Sequence, residues 1–100
     1  TGLTYTLISD EPPLYLPKDG PLVSLLSGAY EDVTGKKCDV FSMGGGTYAR
    51  QMGGAGVAFG ASFDEEESNA HQANECINVE QFKLHAQICL EAMYRMFTAD

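Results

Sequence analysis

The sequence predicts an α/β fold, with a short sheet covered by two main helices, on three observations. Apolar and polar residues alternate near the amino end, two longer segments carry apolar residues at helical spacing, and short apolar runs are bounded by glycine. A layer of helices on a sheet is the arrangement that such a mixture of elements favours. Of the 100 residues, 44% are hydrophobic and 20% are charged, which is usual for one folded domain.

The first predicted elements are a strand over residues 3–8 and a helix. The strand ends before Pro12–Pro13, because proline cannot donate to a ladder. The helix begins at Gly20–Pro21, since proline suits the first helical turn, and ends at Gly35, which suits a left-handed cap. Its predicted apolar stripe consists of Leu22, Leu25, Leu26, Ala29, Tyr30 and Val33.

The middle of the chain is predicted to alternate between short strands and glycine turns. Residues 38–43 and 57–59 are typical of buried strands, and residues 44–46 of a sharp turn. Residues 47–52 are predicted to form one or two helical turns. An irregular acidic stretch over residues 62–74 completes the region.

The last helix is predicted most clearly. Asn78 is a suitable N-cap, and Gln81 completes a capping-box pattern with it. The apolar face is predicted to consist of Phe82, Ala86, Cys89, Met93 and either Met96 or Phe97.

Charge and cysteine content exclude several classes of function. With 6 basic and 14 acidic residues, the formal charge is -8, which argues against binding nucleic acid or an anionic membrane surface. No apolar run is long enough to span a bilayer, and no secretory leader is present. The three cysteines form no C-x-x-C pair, which excludes a zinc ribbon or a thioredoxin-like site and favours reduced thiols in a cytoplasmic protein.

The glycine run over Gly44, Gly45 and Gly46 is the first candidate site. Glycines allow a ligand to approach the backbone closely, Thr47 adds a hydroxyl group, and Arg50 adds a forked cation that suits a carboxylate. The spacing matches neither a phosphate-binding loop nor a dinucleotide fingerprint. A tight turn that binds no ligand is the alternative.

His71 is the second candidate, because it lies in an irregular segment and imidazole is a common zinc ligand. Asn74 and Glu75 follow closely and could orient it. A surface or structural role is the alternative, since H-E-x-x-H is absent. His85 is interpreted as structural, and the acidic run over residues 64–67 as a solvated loop, because it lacks the calcium-loop spacing.

Taken in series, three motifs resemble the C-terminal end of PepV-type zinc dipeptidases. They are Gly44-Gly45-Gly46-Thr47-Tyr48-Ala49-Arg50, Val57-Ala58-Phe59-Gly60 and His71-Gln72-Ala73-Asn74-Glu75. These enzymes belong to the di-zinc exopeptidase superfamily, with carboxypeptidase G, aminoacylases and carnosinases. The likeness covers nearly the whole chain in the same order.

The resemblance implies a fragment of an α/β catalytic domain that binds two zinc ions. Residues 1–17 would be the end of a lid domain and the crossover, and residues 18–100 the C-terminal part of the catalytic domain. By position, His71 would be a metal ligand, and Asn74 and Glu75 would support its loop. Gly44, Gly45, Gly46, Thr47 and Arg50 would line the substrate pocket.

The chain departs from the family pattern because it lacks the H-x-D motif, the bridging aspartate and the general-base glutamate. We therefore expect a cytoplasmic dipeptidase for short peptides that is active only together with a missing N-terminal half. The isolated fragment is expected to be inactive and to self-associate. Two alternatives remain: a non-catalytic homologue that acts as a binding or assembly module, and a stand-alone domain that binds an anionic metabolite.

Overall fold

The computed structural model describes residues 2–60, 63 and 69–99. Its elements, in chain order, are helix α1 (Pro21–Thr34), a 3₁₀ helix (Tyr48–Met52) and helix α2 (Val79–Thr98). The acidic run over residues 64–67 lies outside the described part, and so do residues 62 and 68 of the predicted acidic stretch.

The predicted α/β fold with its short sheet is wrong, because the described residues contain helices and no strand. Segments 3–8, 38–43 and 57–59 have the composition of strands, but none of them pairs with a neighbour within the described residues. A strand is defined by hydrogen bonds to a partner, so apolar alternation without a partner leaves an extended segment.

Helix α1 begins and ends where its sequence predicts. Gly20 is the extended N-cap, Pro21 occupies the first turn, and the Ser24 N–H donates to the Gly20 carbonyl at 2.9 Å. Gly35 ends the helix with φ 71°, in the left-handed region, and its N–H donates to the Glu31 carbonyl at 2.8 Å. Glycine is suited to this position because it has no Cβ to clash there.

Replacing Gly35 with alanine is expected to lower the free energy of unfolding by about 1 kcal/mol, because a Cβ strains the left-handed backbone. Urea unfolding followed by circular dichroism measures the change. Gly35→Asn is the matched control, since asparagine tolerates this region, and it should cost less than Gly35→Ala. Equal losses for the two variants would contradict the argument.

The N-terminus of helix α2 confirms half of the predicted capping box. The Asn78 side chain accepts a hydrogen bond from the Gln81 N–H at 3.1 Å. The Gln81 Oε1 atom, however, is buried and has no hydrogen-bond partner among the described residues. The Asn78 side chain therefore caps the helix, as its residue type predicts.

Helices α1 and α2 pack against each other through one leucine and two alanines. Leu26, Ala29 and Ala92 form the buried cluster, and Ala29 is fully buried. Leu22, Leu25, Val57 and Phe59 flank this cluster. The apolar stripe predicted for α1 thus includes Leu26 and Ala29 of this cluster, whereas Val23, which is also buried, was not predicted.

An ionic contact also joins the two helices. The Arg95 guanidinium hydrogen-bonds to Asp32 on α1, and its Nε donates to Glu91 at 2.8 Å. Hydrogen bonds to Asp32 and Glu91 raise the pKa of Arg95. A Cβ on Gly28 would lie 2.9 Å from Arg95 Nη1, so glycine at that position leaves room for the guanidinium.

The predicted apolar face of α2 is wrong. Ile88 and Ala92 are its buried residues, whereas Phe82, Met93 and Phe97 are exposed. Apolar residues occur on more than one side of this helix, so spacing alone does not decide which side packs on α1.

Large apolar side chains remain exposed along the whole described chain. They include Leu3, Tyr5, Ile8, Phe41, Leu90 and Phe97. The Cα radius of gyration is 17.0 Å, compared with about 13 Å for a compact domain of this length. In the described part of the chain, no helix combines the length and the hydropathy needed to cross a bilayer.

Candidate functional site

The glycine loop, defined here as residues 44–47, connects an extended segment to the 3₁₀ helix. Gly44, Gly45 and Gly46 are exposed, and a Cβ on Gly44 would meet no atom within 4 Å. The approach to the backbone from solvent is therefore open at Gly44, as the sequence predicts for a ligand-binding loop.

Thr47 ends this loop and begins the 3₁₀ helix. Its side chain accepts a hydrogen bond from the Ala49 N–H at 3.4 Å, and its carbonyl accepts one from the Arg50 N–H at 3.1 Å. Ala49 is buried, which anchors the turn. Gly53, with φ 59°, ends the 3₁₀ helix in the left-handed region. The predicted helical turns over residues 47–52 are confirmed as this element.

An open depression of about 570 Å³ lies beside the glycine loop. It is lined by Glu11, Gly46, Thr47, Tyr48, Arg50 and Gln51. Three residues predicted to bind substrate are thus brought together in one concavity: Gly46, Thr47 and Arg50. Gly44 and Gly45 precede it along the chain.

The guanidinium group of Arg50 has one nitrogen in contact with Glu11 and another without a partner among the described residues. Its Nη2 donates to the main-chain carbonyl of Glu11 at 3.1 Å and lies 3.6 Å from Glu11 Oε2. Its Nε is buried and has no hydrogen-bond partner within the described part of the chain. The side chain as a whole is 27% exposed, and a forked cation of this kind is a suitable partner for a carboxylate.

Glu11 is the residue of this site that sequence reasoning missed. Its segment carries the pattern Asp10-Glu11-Pro12-Pro13, which predicts only a break in regular structure. Glu11 and Arg50 are 39 positions apart, and no local spacing indicates their contact. Tyr48 and Gln51 lie next to predicted residues and are found by proximity in the sequence.

His71 lies in a turn over residues 69–74, apart from the residues that line the depression. The Gln72 N–H donates to the Asn69 carbonyl at 2.9 Å and closes this turn. Asn69, His71 and Asn74 all have positive φ, at 50°, 61° and 61°. Asparagine and histidine are among the non-glycine residues that adopt the left-handed region most readily, so the composition of this turn suits its backbone.

The imidazole of His71 is exposed, and so are the side chains of Asn74 and Glu75. No group of three or more histidine, cysteine, aspartate or glutamate residues that could hold a metal ion occurs among the residues that the structure describes. The assignment of His71 as a metal ligand stays a prediction. The supporting roles of Asn74 and Glu75 stay predictions.

The second histidine has a different environment on α2. The Cys89 Sγ lies 3.4 Å from His85 Nε2, and both side chains are half-buried. The pair lies one helical turn apart, which explains the contact without a ligand. No disulfide bond joins Cys38, Cys76 and Cys89 to one another.

Comparisons with known proteins identify similarity over nearly the whole chain. The model of a family described as "Peptidase family M20/M25/M40" matches residues 2–95. No solved structure matches the chain.

Three of the similar curated proteins come from staphylococci, and each carries the name "Putative dipeptidase". The one from Staphylococcus saprophyticus is 39% identical over 95% of this chain, and the one from Staphylococcus epidermidis is 39% identical over 99%. One from Staphylococcus aureus is 42% identical over 95% of the chain. The aligned regions cover 20%, 21% and 20% of these relatives, so the chain spans about one fifth of their length.

Proposed function

Because this chain belongs to peptidase family M20/M25/M40, we propose that it is part of a metal-dependent dipeptidase. The match of residues 2–95 to the family carries this proposal, and the dipeptidase names of the relatives support the substrate class. The intact protein, meaning the longer chain to which these residues belong, hydrolyses short peptides. The present residues alone are inactive.

The glycine loop and Arg50 form part of the substrate site. Gly44, Gly45 and Gly46 leave room for a peptide backbone, and the exposure of this loop supports that role. Thr47 borders the same depression. Arg50 binds the carboxylate end of the substrate, because its partly exposed guanidinium group lines the depression and has the forked donor geometry that suits a carboxylate.

His71 holds one of two zinc ions, and Asn74 and Glu75 support its turn. The imidazole is exposed on a turn, which supports a ligand presented toward other parts of the protein. Bound zinc polarises a scissile carbonyl and lowers the pKa of a bound water molecule. The remaining ligands and the general base come from other parts of the intact protein.

The domain assignment and cellular context complete the proposal. Residues 1–17 form the end of a lid and the crossover, and residues 18–100 belong to the catalytic domain. The formal charge of -8 favours a peptide substrate over nucleic acid or an anionic membrane. The protein is cytoplasmic, and the isolated fragment self-associates through its exposed apolar side chains.

Removal of metal from the intact protein is expected to abolish dipeptide hydrolysis. In the proposed site, zinc polarises the scissile carbonyl and lowers the pKa of the attacking water molecule. Chelation followed by dialysis gives the metal-free protein, and chromatography measures the release of amino acids. Added zinc should restore the activity. Full hydrolysis by protein that elemental analysis finds free of metal would contradict the proposal, as would a wild-type protein that hydrolyses no dipeptide.

A further inference from the structure

The contact between Glu11 and Arg50 joins two distant segments of the chain. One segment precedes Pro12–Pro13, and the other is the 3₁₀ helix that follows the glycine loop. Arg50 reaches Glu11 in two ways, by the hydrogen bond to its main-chain carbonyl at 3.1 Å and by the ion pair at 3.6 Å. Both groups also line the depression beside the glycine loop.

The opposite edge of the same guanidinium group lies against the glycine loop. A Cβ on Gly46 would lie 3.2 Å from Arg50 Nη1, so the two residues are in close proximity. The main-chain N–H of Arg50 donates to the Thr47 carbonyl at 3.1 Å. Arg50 is thus held between Glu11 on one side and residues of the loop on the other.

The ion pair is partly solvated, which limits its contribution to stability. The side chains of Arg50 and Glu11 are 27% and 48% exposed. Ion pairs with this degree of exposure contribute little to the free energy of folding. The Glu11 carboxylate does, however, restrict the rotamers of the long and flexible Arg50 side chain. This restriction holds the guanidinium group in one orientation for a bound ligand.

Resting on the proposed dipeptidase function, we infer that Glu11 is a positioning residue for the substrate site. Its carboxylate and carbonyl hold Arg50 Nη2, which directs the rest of the guanidinium group toward the carboxylate end of the peptide. Glu11 acts through Arg50 and does not itself touch the substrate.

Electrostatics and positioning predict opposite effects for the Glu11→Gln variant. Loss of a negative charge beside a carboxylate-binding cation would, by attraction alone, tighten substrate binding and lower KM. Loss of the carboxylate leaves Arg50 held only by the main-chain carbonyl of residue 11, which loosens its positioning and raises KM. The direction of the change therefore separates the two effects.

In the intact protein, Glu11→Gln is expected to raise KM for a dipeptide about 5-fold and to change kcat by less than about 2-fold. This pattern indicates the loss of a binding interaction that is equally strong in the ground state and the transition state. Glu11→Asp, which keeps the charge, should recover part of the loss. The matching dipeptide amide lacks the carboxylate, so its KM should stay the same. Glu80→Gln is the matched control, since Glu80 pairs with Lys83 at 3.3 Å on α2, away from the loop.

A lower or unchanged KM for Glu11→Gln would overturn the inference, as would an equal rise for the amide. Hydrogen–deuterium exchange over residues 43–50 of the intact protein gives a readout that needs no activity. Exchange there should be faster in Glu11→Gln than in the wild type and unchanged in Glu80→Gln, and unchanged exchange in Glu11→Gln would also overturn the inference. A wild-type protein without dipeptidase activity would refute the proposed function instead, and the exchange result would still decide whether Glu11 orders the loop.

Discussion

Replacing His71 with alanine is expected to lower dipeptide hydrolysis by the intact protein by more than about 100-fold. Changes to residues that merely orient a metal ligand already cost about 10- to 100-fold, and loss of the ligand itself removes a bond to the metal. The imidazole is exposed on the turn over residues 69–74, so its removal leaves no cavity in the described core. Elemental analysis of the purified variant should find less than the wild-type content of zinc.

His85→Ala is the matched control, because His85 is the second of the two histidines in the sequence. It contacts Cys89 within α2 and is not assigned to the metal. The variant should keep the zinc content and most of the activity of the wild type. If His71→Ala also binds zinc normally and remains active, the assignment of His71 as a ligand is wrong.

Replacing Ile88 with alanine is expected to lower the free energy of unfolding by about 2–5 kcal/mol. Ile88 is 2% exposed and is the largest of the buried residues on α2, so its truncation removes buried methyl groups and leaves a cavity. Urea unfolding followed by the helical signal in circular dichroism measures this loss.

Leu90→Ala removes a side chain of similar size from the same helix. Leu90 is 69% exposed, so its loss should change the free energy of unfolding by less than about 0.5 kcal/mol. Similar losses for the two variants would show that the buried face of α2 is assigned incorrectly. Ile88 was not among the residues predicted for the apolar face of α2, so a large loss for Ile88→Ala supports the correction made from the structure.

The helices could be predicted from sequence because their limits are local. Gly20–Pro21 and Gly35 fix the ends of α1 through backbone preferences that depend on these residues alone, and Asn78 does so for the start of α2. The predicted strands failed for the opposite reason. Alternation over residues 3–8 depends on side chains within one segment, whereas a strand also requires a second segment at hydrogen-bonding distance.

The candidate site divides in the same way. The openness of the glycine loop and the turn after Thr47 follow from the types of residue present there. Glu11 could not be found, because its contact with Arg50 depends on how two segments 39 positions apart approach each other. The positive φ of His71 is likewise a product of the folded turn and has no sequence pattern of its own.

The packing of α1 on α2 has a consequence for both candidate sites. Helix α1 ends at Thr34 and helix α2 begins at Val79. Their contact therefore closes the intervening chain into a loop that contains the glycine loop and His71. Closure lowers the conformational entropy that this stretch has left to lose when it binds a ligand. Helix packing and ligand binding are therefore thermodynamically linked, and a substrate or metal that orders the loop also stabilises the helix pair.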